Sequence, residues 1–258
     1  MSQKLERCLL DLLVVLVEPE FESTVGMIAR AMKNFDLQEL RLVNPVATIG
    51  REARMRASHA QEVLDGTRIF MRLRDALAQV DLSVATTAQR TLSIHKISRK
   101  PVTPKELAES LARVRGRIAL VFGREGTGLN NGEIDLCDLT LTVPASPKYP
   151  TLNISHAAAI IFHELYTSTS TNPRDVLAGA EVKGRILSFL EQASDSMNLP
   201  SRNKLLVRRA LKSLMGRSSV RAREASLLAG FFRNVSNHLE KKKVGGRRRF
   251  ENEQDGGH

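Results

Sequence analysis

Three clusters in this 258-residue chain have the residue types and spacing to do chemistry. The first is the glycine-rich stretch FGREGTGLNNGE (122–133), which follows the apolar run RIALVFG (117–123). Gly123, Gly126 and Gly128 would let the backbone approach a ligand closely and present several N–H groups. An ordinary tight connection would use the same glycines. The second is PASPKYPTLNISHA (144–157), where three prolines stiffen a loop before Thr151 and Asn153 at the mouth of a helix. Free N–H groups there can hold a ligand, or Thr151 can simply cap the helix. The third is a helical face carrying Gly26, Arg30 and Lys33 at spacing i, i+4, i+7. Two cations and a gap suit a phosphate or a nucleic-acid backbone. A solvated face is the alternative, and for Lys33 it is the favoured one.

Other chemistries are excluded by what is missing. The first apolar run is not followed by G-x-G-x-x-G, the second strand ends at Asn44 and not at an acid, and there is no G-x-x-x-x-G-K-[ST]. His59, His95, His156 and His163 lack metal-ligand spacing, and no H-E-x-x-H occurs, so neither a metal nor a Ser–His–Asp site is expected. Two cysteines, Cys8 and Cys137, leave no disulfide scaffold or Cys-rich zinc site.

The elements that must position these clusters alternate. Strand signals stand at 12–18, 39–45, 82–88, 117–123 and 139–144, and helix signals at 23–35, 57–65, 73–80, 103–114 and 151–167. Thr103, Pro104 and Glu106 form a capping-box start for the fourth helix. Such βα alternation predicts an α/β fold with a mainly parallel sheet, helices on both faces, and a ligand at the carboxyl ends of the strands. After residue 167 a Ser/Thr/Asn/Pro-rich linker (168–175) leads to three helices, at 182–197, 201–216 and 219–243. The organisation predicted is an α/β domain at 1–167, a helical domain at 176–243 and an unstructured tail at 244–258. No run of eighteen apolar residues occurs, so no membrane span is expected. Glu6 and Asp11 interrupt the N-terminal apolar run, no small-residue cleavage site follows, and a cytosolic protein is expected.

Charge is unevenly placed. Residues 173–258 hold 18 Lys and Arg against 9 Asp and Glu, a net of +9 of the chain's +11. A localised basic segment is the footprint of polyanion binding, though charge alone does not rank RNA over DNA, and a solvated basic tail is the alternative.

Taken together, VEPEFESTVGMIARAMKNF (17–35), ALVFGREGTGLNNGEIDLCD (119–138) and LTVPASPKYPTLNISHAAAIIFHEL (141–165) resemble, in order and spacing, the three motifs of SPOUT-class RNA methyltransferases. Within that class the chain is most similar to the TrmJ type of tRNA 2′-O-ribose methyltransferase, in the TrmH-like branch. The resemblance covers residues 12–167, and less specifically the basic tail. It implies a parallel-sheet SPOUT domain with a C-terminal trefoil knot plus a small helical domain. It also implies an S-adenosylmethionine cofactor, a homodimer with its sites at the interface, and tRNA as partner. The cofactor would touch positions matching Thr86, Thr87, Ala88, Gly123, Val143, Pro150, Thr151 and Leu152, and the family's essential arginine falls on Arg30. Glu125 and Asn153 match further motif positions. Thr24 stands where asparagine is common, and Gln89 where arginine is common.

A sulfonium methyl is already electrophilic, so neither a metal nor a covalent nucleophile is required. The protein must align a ribose 2′-OH with it and manage the hydroxyl proton. A guanidinium stays protonated, with a pKa above about 12. Arg30 would therefore act as a base only in a special environment, or would stay charged and stabilise the developing alkoxide. RNA follows from the reaction, because only RNA offers the 2′-OH. The resemblance points to the first nucleotide of the anticodon loop, cytidine ahead of uridine. Ribosomal RNA as target, or a non-catalytic RNA-binding protein on the same fold, are the alternatives.

Overall fold

The computed structural model describes residues 11–88, 101–112, 114–168 and 175–254. Gln89, His95 and most of the expected linker lie outside them. In chain order the elements are β1 (Asp11–Val17), α1 (Glu22–Asn34), β2 (Glu39–Val43), α2 (Arg51–Ala57), α3 (Gln61–Asp65), β3 (Arg68–Phe70), α4 (Leu73–Ala76), β4 (Leu82–Thr86) and α5 (Pro104–Leu111). They continue with β5 (Val114–Arg115), β6 (Arg117–Phe122), α6 (Asn131–Leu136), β7 (Leu139–Leu141), α7 (Ile154–Ser168), β8 (Asp175–Val176), α8 (Ala180–Ser196), α9 (Ser201–Arg217) and α10 (Ala222–Gln254).

Six strands form one parallel sheet in the order β3-β2-β1-β6-β4-β7. Register explains why the strands read as continuous apolar runs. Val14 lies between Leu40 and Leu120, and Leu16 between Leu42 and Phe122. These residues belong to the larger apolar cluster, on the face covered by α1, α2, α3, α5 and α7. Leu13, Val15, Val17, Ala85 and Val121 point the other way and pack with Leu73 and Ala76 of α4 and Ile134 of α6. Both faces must therefore be apolar, as a sheet flanked by helices requires. Phe162 of α7 meets Phe122 edge-on at 6.2 Å and Phe35 at 6.5 Å, which fixes α7 against β6 and the end of α1.

Of the helix expected over 57–65, only Gln61–Asp65 forms, as α3, and a further helix, α2, precedes it and ends at Ala57. Ser58, in left-handed backbone with φ of 53°, separates α2 from α3. The break lets α2 lie along α1 while α3 turns to reach β2. The capping box of Thr103 and Glu106 forms as the sequence predicts.

The C-terminal helices enclose a small cluster of Ala178, Ile186, Leu187, Met215, Val220 and Ala225. They are also tied to the sheet. Strand β8 pairs in parallel with β5, which leads into β6, as a separate two-stranded sheet, and Leu177 enters the larger apolar cluster at 4% exposure. Lys183 donates to the Asp81 carbonyl and lies 3.3 Å from the Asp138 carboxylate. A Cβ at Gly216 would stand 2.8 Å from the Asp138 carbonyl oxygen, so α9 runs hard against the start of β7. Helix α10 continues to Gln254, where the sequence predicts an unstructured tail from 244. The high helix propensity of its Arg, Lys, Glu and Gln residues outweighs the Gly245–Gly246 pair.

Candidate active site

The carboxyl ends of three neighbouring strands, β6, β4 and β7, open into one cavity of about 650 Å³. That is within the usual small-molecule range of about 300–1,000 Å³. All eight positions carried over for the cofactor line it. Thr86, Thr87 and Ala88 come from the end of β4, Gly123 from the end of β6, Val143 from just beyond β7, and Pro150, Thr151 and Leu152 from the proline-rich loop before α7. Thr86 Oγ1 donates to the Val121 carbonyl at 3.0 Å, and the Thr87 N–H to the Leu141 carbonyl at 2.9 Å, so the β4 end is fixed to both neighbours.

The three glycines divide by role. The loop from Arg124 to Gly128 closes on itself through two backbone hydrogen bonds, of 3.3 and 3.0 Å. Gly128 has a φ of +69°, the left-handed region that glycine adopts freely. Cβ atoms at Gly126 and Gly128 would meet open space. A Cβ at Gly123 would collide with the backbone of Gly128 and Leu129. Gly123 therefore serves close packing inside the loop as well as lining the cavity, and Gly126 and Gly128 line it with unobstructed backbone.

Charged groups brace this loop. Arg124 donates to Glu18 at 2.8 Å, to Glu133 at 2.9 and 3.2 Å, and to the Gly128 carbonyl at 3.2 Å. Glu133 and then Glu18 hold its guanidinium pKa above the ordinary value. Glu125 reaches outward. Its carboxylate accepts from the N–H groups of Glu20 at 2.9 Å and Phe21 at 3.3 Å, at the start of α1, which has no side-chain cap of its own. Glu22 does the same for α2, accepting from the N–H groups of Glu52 at 3.1 Å and Ala53 at 3.4 Å. Arg124, Leu129 and the α6 residues Asn131 and Ile134 join the cavity wall, and the sequence reading does not single them out. The signal that could have found them is Asn130-x-x-Glu133, a capping box that opens α6.

Several expectations change. The gap at Gly26 is filled by α2, because a Cβ there would collide with the Ala53 carbonyl oxygen and press on Arg56. Lys33 is engaged, donating to Glu62 and to the His59 carbonyl at 2.8 Å. Thr24, at the position where asparagine is common, is 4% exposed inside α1, one turn past the N-cap Phe21. Asn153, not Thr151, caps α7; its Oδ1 accepts from the Ser155 N–H at 2.9 Å. Thr151 is left to the cavity. Arg30 is exposed on α1, outside this cavity's wall, and has no hydrogen bond or ion pair among the described residues.

The profile of the SpoU rRNA methylase family matches residues 11–163, more than half of the chain. The chain belongs to the SpoU rRNA methylase family. It is 38% identical over 227 residues to the tRNA (cytidine-2′-O-)-methyltransferase TrmJ of Methanocaldococcus jannaschii, covering 85% of this chain and 97% of that one. It is 29% identical over 238 residues to the tRNA (cytidine/uridine/adenosine-2′-O-)-methyltransferase TrmJ of Pseudomonas aeruginosa, covering 84% and 90%. The crystal structure of TrmJ from Z. mobilis ZM4 superposes with a TM-score of 0.67 at 27% identity, covering 86% of this chain and 98% of that one. This SpoU protein is thus an RNA 2′-O-methyltransferase of the TrmJ type on a parallel-sheet α/β fold with a helical C-terminal region.

The cavity suits the family's methyl donor. Open backbone at Gly126 and Gly128 and the threonines Thr87 and Thr151 offer polar groups to a nucleoside and an amino-acid tail, and Leu129, Ile134, Val143 and Leu152 offer an apolar wall to a base. Among the described residues no group of three His, Cys, Asp or Glu could hold a metal ion, and no helix is long and apolar enough to cross a membrane. Burial pushes the Cys137 thiol up to about 12, so it is no nucleophile.

Proposed function

We propose that this SpoU protein is an S-adenosylmethionine-dependent tRNA 2′-O-methyltransferase that modifies the first nucleotide of the anticodon loop, cytidine ahead of uridine. It works in the cytoplasm as a homodimer, with the family's C-terminal knot and with residues 176–243 as a basic RNA-binding domain. The observation that carries this reading is the convergence of three sequence-distant segments on one cavity at the ends of β6, β4 and β7. Cytidine is supported by the name of the M. jannaschii relative. The anticodon position rests on the motif resemblance.

S-adenosylmethionine supplies an electrophilic methyl group when bound. The chain's part is alignment and charge. Thr86, Thr87 and Ala88 shape one side of the cavity, the loop at Gly126–Gly128 a second, and Pro150–Leu152 a third. Arg30, exposed and without an ion pair among the described residues, is available to a phosphate or to the oxygen that loses its proton. It holds developing negative charge rather than taking the proton, since no carboxylate among the described residues is paired with it to relay one. Its place outside its own chain's cavity wall supports the dimer, because a second copy can bring an Arg30 to the cavity.

Labelled S-adenosylmethionine should place a methyl group on a ribose 2′-OH of tRNA, and mapping should put it at the start of the anticodon loop. Arg30→Ala should slow single-turnover transfer about 10²–10³-fold, the scale of losing one transition-state donor, with cofactor affinity unchanged. Substantial activity in Arg30→Lys would favour charge over guanidinium geometry. Labelling of ribosomal RNA alone would replace the substrate. RNA binding without any labelling would leave a non-catalytic protein.

A further inference from the structure

Helix α6 borders the cavity with Asn131 and Ile134, directly after the wall residue Asn130, yet it has only six residues. A helix that short is marginal without support at both ends. Its N-terminus is held from within the sheet region. Asn130 Oδ1 accepts from the Glu133 N–H at 2.9 Å, Glu133 accepts from the Asn130 N–H at 2.7 Å, and Glu133 pairs with Arg124. Its C-terminus is held from elsewhere. Lys212 of α9 donates to the carbonyls of Asp135 at 2.9 Å and Leu136 at 2.8 Å. Arg209, one turn earlier on α9, pairs with the Asp135 carboxylate at 2.8 Å. A cation on the last carbonyls of a helix satisfies groups that would otherwise be orphaned and complements the helix dipole. Helix α9 is held close at this point, because Gly216 brings its backbone against the Asp138 carbonyl.

We propose that Lys212, assisted by Arg209, is a positioning residue for the methyl-donor cavity. The basic helical region closes the C-terminus of α6 and so sets the position of the Asn130–Ile134 wall. The assignment rests on the reading of this cavity as the S-adenosylmethionine site. It places an RNA-binding region and a cofactor wall in one mechanical unit.

The test is calorimetric titration of the full-length protein with S-adenosylmethionine, together with steady-state kinetics. Lys212→Met should weaken cofactor binding about tenfold, equivalent to about 1.4 kcal/mol, close to the lower end for one hydrogen bond from a charged donor. Its KM for S-adenosylmethionine should rise while kcat and the KM for tRNA stay near wild type. A merely structural role would lower apparent kcat and the calorimetric stoichiometry through the unfolded fraction, with both KM values unchanged. Lys212→Arg, which keeps donors for two carbonyls, should restore most of the affinity. Should Lys212→Met fail to fold, Arg209→Gln decides, with an expected loss of about threefold in the same direction. Wild-type cofactor affinity in the folded variant overturns the assignment. Failure of the wild type itself to bind S-adenosylmethionine overturns the reading of the cavity instead.

Discussion

Residues 11–168 and residues 175–254 are held together by different means. The first region buries two continuous apolar clusters, one on each face of a parallel sheet. The second has one cluster of six buried apolar residues, and much of its attachment to the sheet is by Lys183, Arg209 and Lys212. Apolar burial is non-directional, whereas a lysine on two carbonyls specifies one geometry. The positive charge of the C-terminal region is therefore two populations. Lys183, Lys204, Arg208, Arg209, Lys212 and Arg221 meet carboxylates or carbonyls. Arg185, Arg202, Arg217, Arg223 and Arg233 are exposed and have no such partner among the described residues. Within the first set Lys183, Arg209 and Lys212 dock the region on the sheet, and Lys204, Arg208 and Arg221 pair inside it. The second is free for phosphate.

Truncation strains this contrast most. A solvated appendage could be removed at Asn172 with the remainder still folding and binding cofactor. Because Leu177 fills the larger apolar cluster, the shortened chain should instead lose about 2–5 kcal/mol, the range for emptying a leucine site. It should also bind S-adenosylmethionine weakly. Differential scanning calorimetry and titration check both, and an unchanged melting temperature would return the region to appendage status. A smaller effect separates the glycines. Gly123→Ala overpacks the loop and should cost about 1–3 kcal/mol, with cofactor binding abolished. Gly126→Ala, which meets open space, should melt as wild type. Equal melting of the two would show that Gly123 is not a packing glycine.

The two charge populations should differ in salt dependence. Arg223→Ala or Arg233→Ala should make the slope of log affinity for tRNA against log salt shallower, by about 0.7–0.9 for each phosphate no longer neutralised. An unchanged slope would remove those arginines from the interface. The smallest effect concerns an exposed tether within the first region. The hydrogen bond from Lys33 holds the Glu62 carboxyl below its ordinary 4.5. The unfolded chain then binds more protons in acid, so this stabilisation is present above pH 4.5 and fades as the pH falls through the lower folded value. Urea unfolding at about pH 6 and about pH 3 should show a slightly narrower gap for Glu62→Gln than for wild type. An identical gap would mean that the pair contributes nothing, as many surface pairs do.

What the sequence disclosed followed how local its physics is. Five strands of the sheet were legible because strands buried on both faces read as apolar runs, RIALVFG most plainly. Strand β3 was not, since Arg68, Ile69 and Phe70 form an exposed edge without that run. The capping box at Thr103 was a local pattern and formed. The one at Asn130 was equally local, but the glycines around it masked a six-residue helix. The positions that the family resemblance assigns to the cofactor meet in one cavity because strand ends of a parallel sheet lie side by side. The filling of Gly26 by Ala53, the capture of Lys33 by Glu62 and the reach of Lys212 to α6 join distant segments, and no spacing in the chain announces them.

The start of α1 has a consequence for the order in which the molecule is made. The N–H groups of its N-cap Phe21 and of Glu20 just before it are satisfied by Glu125, up to 105 positions further along. A ribosome adding roughly 5–20 residues per second takes about 5–20 s to span that interval. For those seconds the nascent helix that will carry Arg30 has no cap, and its apolar face has no β6 to lie against. Its completion waits for the loop that carries Glu125, so the start of α1 and the glycine-rich loop become ordered in one event about midway through biosynthesis.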